Sequence, residues 1–154
     1  MAWSASKVIA CAVLDTLKLT ESLDWDTDTM TVALYNNSIT PDNTAAQASN
    51  AYNTGQWATA NEVYEAGQWA QAGVNLASVT VAQASNVVTF DAADTASGSA
   101  FDGANIYGCL VYDNTSTTTA DQGICYNYFG GANTVTNGTL TVIWNAGGIA
   151  TFTT

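Results

Sequence analysis

Ile106-Tyr107-Gly108-Cys109-Leu110-Val111-Tyr112-Asp113-Asn114 is the stretch whose reading decides the fold class. Its aromatic, β-branched and other apolar residues suit a pleated, packed strand, and the Asp-Asn pair that follows suits a turn. Gly123 to Phe129 has the same character, as do Val74 to Val81, Val87 to Phe90, Thr139 to Trp144 and Ile149 to Phe152. Between the runs stand turn formers: Ser85-Asn86, Gly130-Gly131, Asn137-Gly138 and Asn145-Ala146-Gly147-Gly148. Asn137-Gly138 reads as a tight hairpin turn, because a type I′ turn needs left-handed residues at both central positions. Further upstream Met30, Val32 and Leu34 alternate with Thr31, Ala33 and Tyr35, as the two faces of a strand do. About seven short strands with turns between them predict an antiparallel β-sandwich or barrel. Nothing alternates strand with helix, so a parallel sheet is not expected.

The N-terminal part is different. Ile9, Val13 and Leu17, flanked by Ala10 and Leu14, recur at helical spacing and predict one amphipathic helix over 4–19, with Ser4 or Ser6 as N-cap. A long polar stretch over 36–56 holds the only proline, Pro41. Segments of that length without regular structure are uncommon inside a domain, and this one is expected to order against a neighbouring molecule. Gly55-Gln56-Trp57-Ala58 is echoed by Gly67-Gln68-Trp69-Ala70. Two copies are too few for a solenoid, so the echo is either a local hairpin carrying two indoles or a coincidence. The whole chain, 1–154, reads as a single domain with its β-rich part over 74–154.

Composition narrows the function. The chain has two Lys, no Arg and no His against thirteen acidic residues, a formal net charge of -11. Phosphate backbones and anionic lipid are held by Lys and Arg, so neither nucleic acid nor membrane is an expected partner. Without His, the commonest general base and the Ser-His and Cys-His dyads are missing. Carboxylate chemistry remains, but Glu62 and Glu65 would share a face only on a helix and nothing else marks a cleft, so no enzyme, catalytic residue or cofactor is expected. Asp24, Asp26 and Asp28 suggest a calcium loop at first sight, yet Thr29 and Tyr35 stand where an EF-hand needs Gly and Glu. They read better as a solvated strand entrance, Asp91, Asp94 and Asp102 read as a surface loop, and no metal is expected.

Cys11, Cys109 and Cys125 are an odd set at wide spacing and read as free, buried thiols, with a Cys109–Cys125 bridge as the alternative. No basic stretch with a cleavable apolar run follows Met1, and Val8 to Leu14 is shorter than the ~20 residues that span a bilayer. Synthesis in a cytoplasm without export is the expectation. Trp144 reads as core, whereas Trp3, Trp25, Trp57 and Trp69 fall in loops or at the helix entrance, where an indole needs cover. Indoles are enriched in the buried centres of interfaces, which makes Trp57 and Trp69, with Tyr64, Tyr52 and Trp3, the candidate interface residues. The competing reading is that Trp57 and Trp69 cap this domain's own sandwich.

Several short motifs occur in a suggestive order: Ala33-Leu34-Tyr35-Asn36-Asn37-Ser38-Ile39-Thr40-Pro41-Asp42, Asn61-Glu62-Val63, Val88-Thr89-Phe90-Asp91-Ala92-Ala93-Asp94, Leu110-Val111-Tyr112-Asp113, Tyr128-Phe129-Gly130-Gly131 and Trp144-Asn145-Ala146-Gly147-Gly148-Ile149. From about residue 28 onward the chain resembles small virion structural proteins of tailed bacteriophages. The resemblance implies a minor capsid or capsid decoration protein on the outer capsid surface of the virion, made in the host cytoplasm. It implies the major capsid protein as partner, together with further copies of the chain in a homo-oligomer such as a trimer. A tail-associated or host-glycan-binding β module, with Trp57, Trp69 or Tyr64 as stacking platforms, is the alternative.

Overall fold

The computed structural model describes residues 3–18, 23–115 and 119–154. The chain is mainly β: an antiparallel sandwich, not a closed barrel, with one N-terminal helix. Its elements are β1 (Lys7–Val8), α1 (Ala10–Lys18), β2 (Met30–Tyr35), β3 (Glu62–Val63), β4 (Val74–Asn75), β5 (Thr80–Ala84), β6 (Val87–Asp91), β7 (Thr95–Ala96), β8 (Phe101–Asp113), β9 (Gln122–Gly138), β10 (Thr141–Val142) and β11 (Ala150–Thr153). Six of these strands run four residues or more and five are two-residue pairings, against the about seven expected.

The central sheet has the order β1-β9-β8-β2-β3, with β4 also paired to β2. All six residues of β2 are buried, because both faces of the sheet are covered. Met30, Val32, Leu34, Cys109 and Val111 face the main core, where they meet Phe90 and Ala150 of the second sheet, β11-β6-β5. Ala33, Tyr35, Leu110 and Tyr112 face the other way, onto Trp3, Tyr52 and Trp57. A register shift between Val111 and Tyr112 turns both Ile124 and Cys125 of β9 into the main core. Cys11, Cys109 and Cys125 are free thiols, and Cys109 and Cys125 are buried.

Several boundaries differ from expectation for identifiable reasons. The helix starts at Ala10, not Ser4, because β9 claims the preceding backbone. Lys7 and Val8 pair with Tyr126 and Cys125, Ile9 N–H donates to Ile124 O at 2.8 Å, and Ser6 Oγ accepts from Tyr128 N–H at 3.0 Å rather than capping a helix. Leu19, the expected last helical residue, lies outside the described residues. The run from Val74 to Val81 is two strands: β4 pairs with β2, and β5 crosses to the other sheet. Ser78 between them adopts φ 53°.

Gly130-Gly131 does not end a strand, since β9 continues through it to Gly138. Asn137-Gly138 is not a hairpin turn either. Gly138 is still opposite Phe101, and the next strand, β10, pairs with β7 rather than with β9. Trp144 is half-buried beyond the end of β10, with its indole N–H donated to Ala93 O at 3.2 Å. The Ser85-Asn86 turn is as expected, joining Ala84 and Val87 of the β5-β6 hairpin.

Residues 36–56 were expected to order against another molecule, but they fold onto the chain's own sheet. Ile39, Asn50, Ala51 and Tyr52 are buried there. Short polar side chains hold the turns: Asn36 Oδ1 accepts from Ser38 N–H and Asp42 Oδ1 from Thr44 N–H, both at 2.8 Å. Tyr52 N–H donates to Asp121 O at 2.8 Å and Gly123 N–H to Asn50 O at 3.1 Å, fastening the segment to the start of β9.

Candidate functional site

The echoed tetrapeptides explain where two of the candidate interface residues go. Gly55 and Gly67 both take left-handed φ, 47° and 82°, which a residue without Cβ adopts at no steric cost. Each following Gln reaches across to distant backbone. Gln56 Oε1 accepts from Asp42 N–H at 2.7 Å, and Gln68 Oε1 accepts from Ala100 N–H at 3.1 Å. Each Trp then points inward and is fully buried. The echo is thus a repeated anchoring device rather than one hairpin carrying both indoles, although the second copy turns within a tight antiparallel bridge between Glu65 and Trp69. Its two indoles enter different clusters, Trp69 the main core and Trp57 the aromatic layer on the opposite face of the central sheet.

That aromatic layer is closed and largely self-satisfied. Trp57 lies 5.8 Å from Trp3, 5.2 Å from Tyr35 and 5.7 Å from Tyr126 between ring centroids. Tyr52 stacks on Tyr112 at 4.8 Å and 11°. Trp3 Nε1 donates to Asn36 O at 2.9 Å, Trp57 Nε1 to Asn50 Oδ1 at 3.2 Å, and Tyr35 Oη to Trp57 O at 2.8 Å. Glu62 closes the edge, accepting from Tyr52 Oη at 2.8 Å and from Ala72 N–H at 2.9 Å, while Tyr112 Oη donates to Ala72 O at 2.6 Å. Burial pushes the Glu62 carboxyl above its ordinary range, against the pull of the Tyr52 and Ala72 hydrogen bonds. The same desolvation raises the Tyr35, Tyr52 and Tyr112 phenols. Chemically the arrangement ties residues 36–73 to the sheet.

Four of the five candidate interface residues, Trp3, Tyr52, Trp57 and Trp69, are therefore interior to this chain, and only Tyr64 is exposed, at 46%. The cover that these loop-borne indoles need comes from within the chain and not from a neighbour: their loops fold back over the sheet and bury them. Glu62 and Glu65 are not on a helix and do not converge, since Glu62 lies in β3 and Glu65 Oε2 accepts from Asp102 N–H. Asp94 Oδ1 accepts from Trp144 N–H at 3.0 Å and Asp102 Oδ1 from Asn137 N–H at 2.7 Å, so these acids brace loops.

An open groove among the described residues lies elsewhere, beside α1. Val81, Val88 and Phe152 of the second sheet face Val13, Thr16 and Leu17 of the helix across a groove of about 550 Å3, with Leu23, Asp24, Trp25 and Asp26 completing its wall. The strand register sets Val81 beside Phe90 and Ala150, and Val88 between Gln83 and Phe152. Phe90 and Ala150 are buried in the core and Phe152 packs against it, while Val81 is exposed at the groove. Leu17 is 77% exposed and Leu14 48%. Val13, Leu17, Asp24, Trp25 and Asp26 were each noted in the sequence, but nothing there joined them into a groove. Of the helix's apolar residues only Ala12 is fully buried, and Leu17 is the exposed leucine that lines the groove.

At the rim, the Asp-rich turn is knit together internally. Asp24 Oδ1 accepts from Asp26 N–H at 3.1 Å and Thr27 N–H at 3.3 Å, Asp28 Oδ2 from Asp24 N–H at 2.7 Å, and Asp26 Oδ1 from Val81 N–H at 2.9 Å. Hydrogen bonding by the Thr27 side chain, then by the Asp26 backbone N–H, holds the Asp24 carboxyl below the usual range. Comparison of the chain with family models, with curated proteins and with solved structures finds no match.

Proposed function

We propose that the chain is an accessory structural protein of a tailed-phage capsid, a minor capsid or decoration protein that binds the outer lattice and stabilises it by protein–protein contacts. The ordered motifs from residue 33 to residue 149 support this reading. The observation that carries it on the structural side is the unfinished apolar groove beside α1, on a domain whose other aromatic side chains are largely covered. A large exposed apolar side chain such as Leu17 is stabilised by a partner that removes it from water. Repetition on a symmetric lattice lets many such modest contacts act together. Glycan recognition through stacking is the weaker reading, because Trp57 and Trp69, its expected platforms, are buried and only Tyr64 is exposed.

The test is made on purified particles. Mass spectrometry should find the chain there at lattice copy number, and particles lacking it should rupture at a lower temperature. Absence from purified particles, or equal rupture temperatures with and without the chain, overturns the proposal.

A further inference from the structure

The groove beside α1 has the dimensions of a binding site: about 550 Å3, against roughly 300–1,000 Å3 for typical ligand clefts. Its walls are apolar on three sides, from Leu17 on the helix, Trp25 on the connecting segment, and Val81, Val88 and Phe152 on the sheet. Trp25 is held edge-on against Phe90 at 5.5 Å and tilted against Phe152 at 5.8 Å, so this wall is preformed. Only the rim is polar, and there the sign of the charge is uniform. Asp24 and Asp26 line it and Asp28 bonds to Asp24 N–H. None of the three pairs with a cation among the described residues. Asp24 Oδ1 and Asp26 Oδ1 accept from backbone N–H groups, and the Thr27 side chain also bonds the Asp24 carboxyl, yet both carboxylates stand exposed at the rim.

An occupant must therefore bring apolar bulk and positive charge together. A second copy of this chain is poorly suited, having only Lys7 and Lys18 against thirteen acidic residues. Two copies would meet with like charge. We infer that the groove is the docking site for a basic, apolar-anchored segment of a different protein, whose large apolar side chain fills the space between Leu17, Trp25, Val81 and Phe152 while its Lys or Arg side chains meet Asp24 and Asp26. The inference rests on the proposed assembly role in naming a protein partner, and it identifies which surface of this chain does the binding and what chemistry the partner presents.

The probe is a short acetylated, amidated peptide alternating Lys with Leu and Phe, titrated by calorimetry against the full chain while the Trp25 indole N–H resonance is followed by NMR. Saturable binding that shifts that resonance is expected. Affinity should fall at least about tenfold when Glu replaces Lys in the peptide, or Ser replaces its apolar residues, and should weaken as salt is raised. Leu17→Lys, at an exposed helix position that leaves the fold intact, should abolish binding. Asp24→Asn with Asp26→Asn retains an acceptor for the turn and for Val81 N–H, and should remove most of the salt dependence. Absence of saturable binding by the native chain, equal affinity for the Glu-substituted peptide, or unchanged binding by Leu17→Lys overturns the inference.

Particle binding by the same variants separates the two proposals. If native chain and Leu17→Lys associate equally with particles, the groove inference fails while the assembly role stands. If the peptide binds as described but the native chain does not associate with particles, the assembly role fails while the groove's chemistry stands.

Discussion

On one face of the central sheet Trp57, Tyr35, Tyr126 and Trp3 form a layer in which both indole N–H groups and the Tyr35 hydroxyl find partners within the chain. On the other, Val32, Leu34 and Val111 meet Phe90 and Ala150, but the layer thins towards α1 and leaves Leu17 in water. The polar accounting differs in the same direction. Trp25 and Trp69, on the second face, keep buried indole N–H groups without a partner among the described residues, each costing on the order of 1–3 kcal/mol. One face is covered by a long segment from the same chain, whereas the other is covered by a three-stranded sheet and a nine-residue helix that, among the described residues, leave a groove between them. A face completed within the chain serves stability, and a face left incomplete is available to something else.

Mutation should break this contrast most sharply at its centre. Trp57→Ala empties the middle of the sealed layer and should cost about 3–5 kcal/mol in chemical denaturation, whereas Leu17→Lys should stay within about 0.5 kcal/mol of the native chain. Comparable losses at the two positions would show that the faces are not different in kind. A smaller effect is expected at Gly108 on β8, where an added Cβ would stand 2.3 Å from Asn127 O and 2.6 Å from the Trp3 ring. Gly108→Ala should lower stability by about 1–3 kcal/mol through overpacking and shift the Trp3 indole resonance more than that of Trp25.

The smallest effect concerns pH. Glu62 has a folded pKa raised above its ordinary value of 4.5, so its contribution is fully present below that value and is lost as pH rises through the folded pKa. Glu62→Gln keeps an acceptor for Ala72 N–H and cannot ionise. The difference in unfolding free energy between native chain and variant should therefore move in the variant's favour as pH rises above 4.5. The difference isolates Glu62 from Asp121, whose pKa is also raised by burial, and from Asp24 and Asp42, whose pKa values are lowered by hydrogen bonds. A pH-independent difference would mean that the carboxyl does not feel its burial.

Much of the fold was legible because strands announce themselves locally. The runs around Met30–Tyr35, Ile106–Tyr112 and Gly123–Phe129 are all strand, as β-branched and aromatic residues on a half-buried pleat require. The two-residue strands β1, β3 and β7 escaped notice, since two residues carry no period. The site was less legible. A tryptophan beside glycine and polar residues reads the same whether its loop projects into water or folds back, and only the contacts of residues 36–61 with β9 and β2 decide between them.

Sequence alone determined the class of this protein: mainly β, strongly acidic, with one N-terminal helix and without the imidazole and guanidinium groups that much catalysis and phosphate binding use. These properties follow from side-chain chemistry and short-range periodicity, which act within a few residues of one another. Tertiary structure alone decided which aromatics are interior, that the two Gly-Gln-Trp-Ala segments anchor opposite faces of one sheet, and where the apolar surface remains open. Burial depends on which segments meet across long separations, and that depends on packing the whole chain at once.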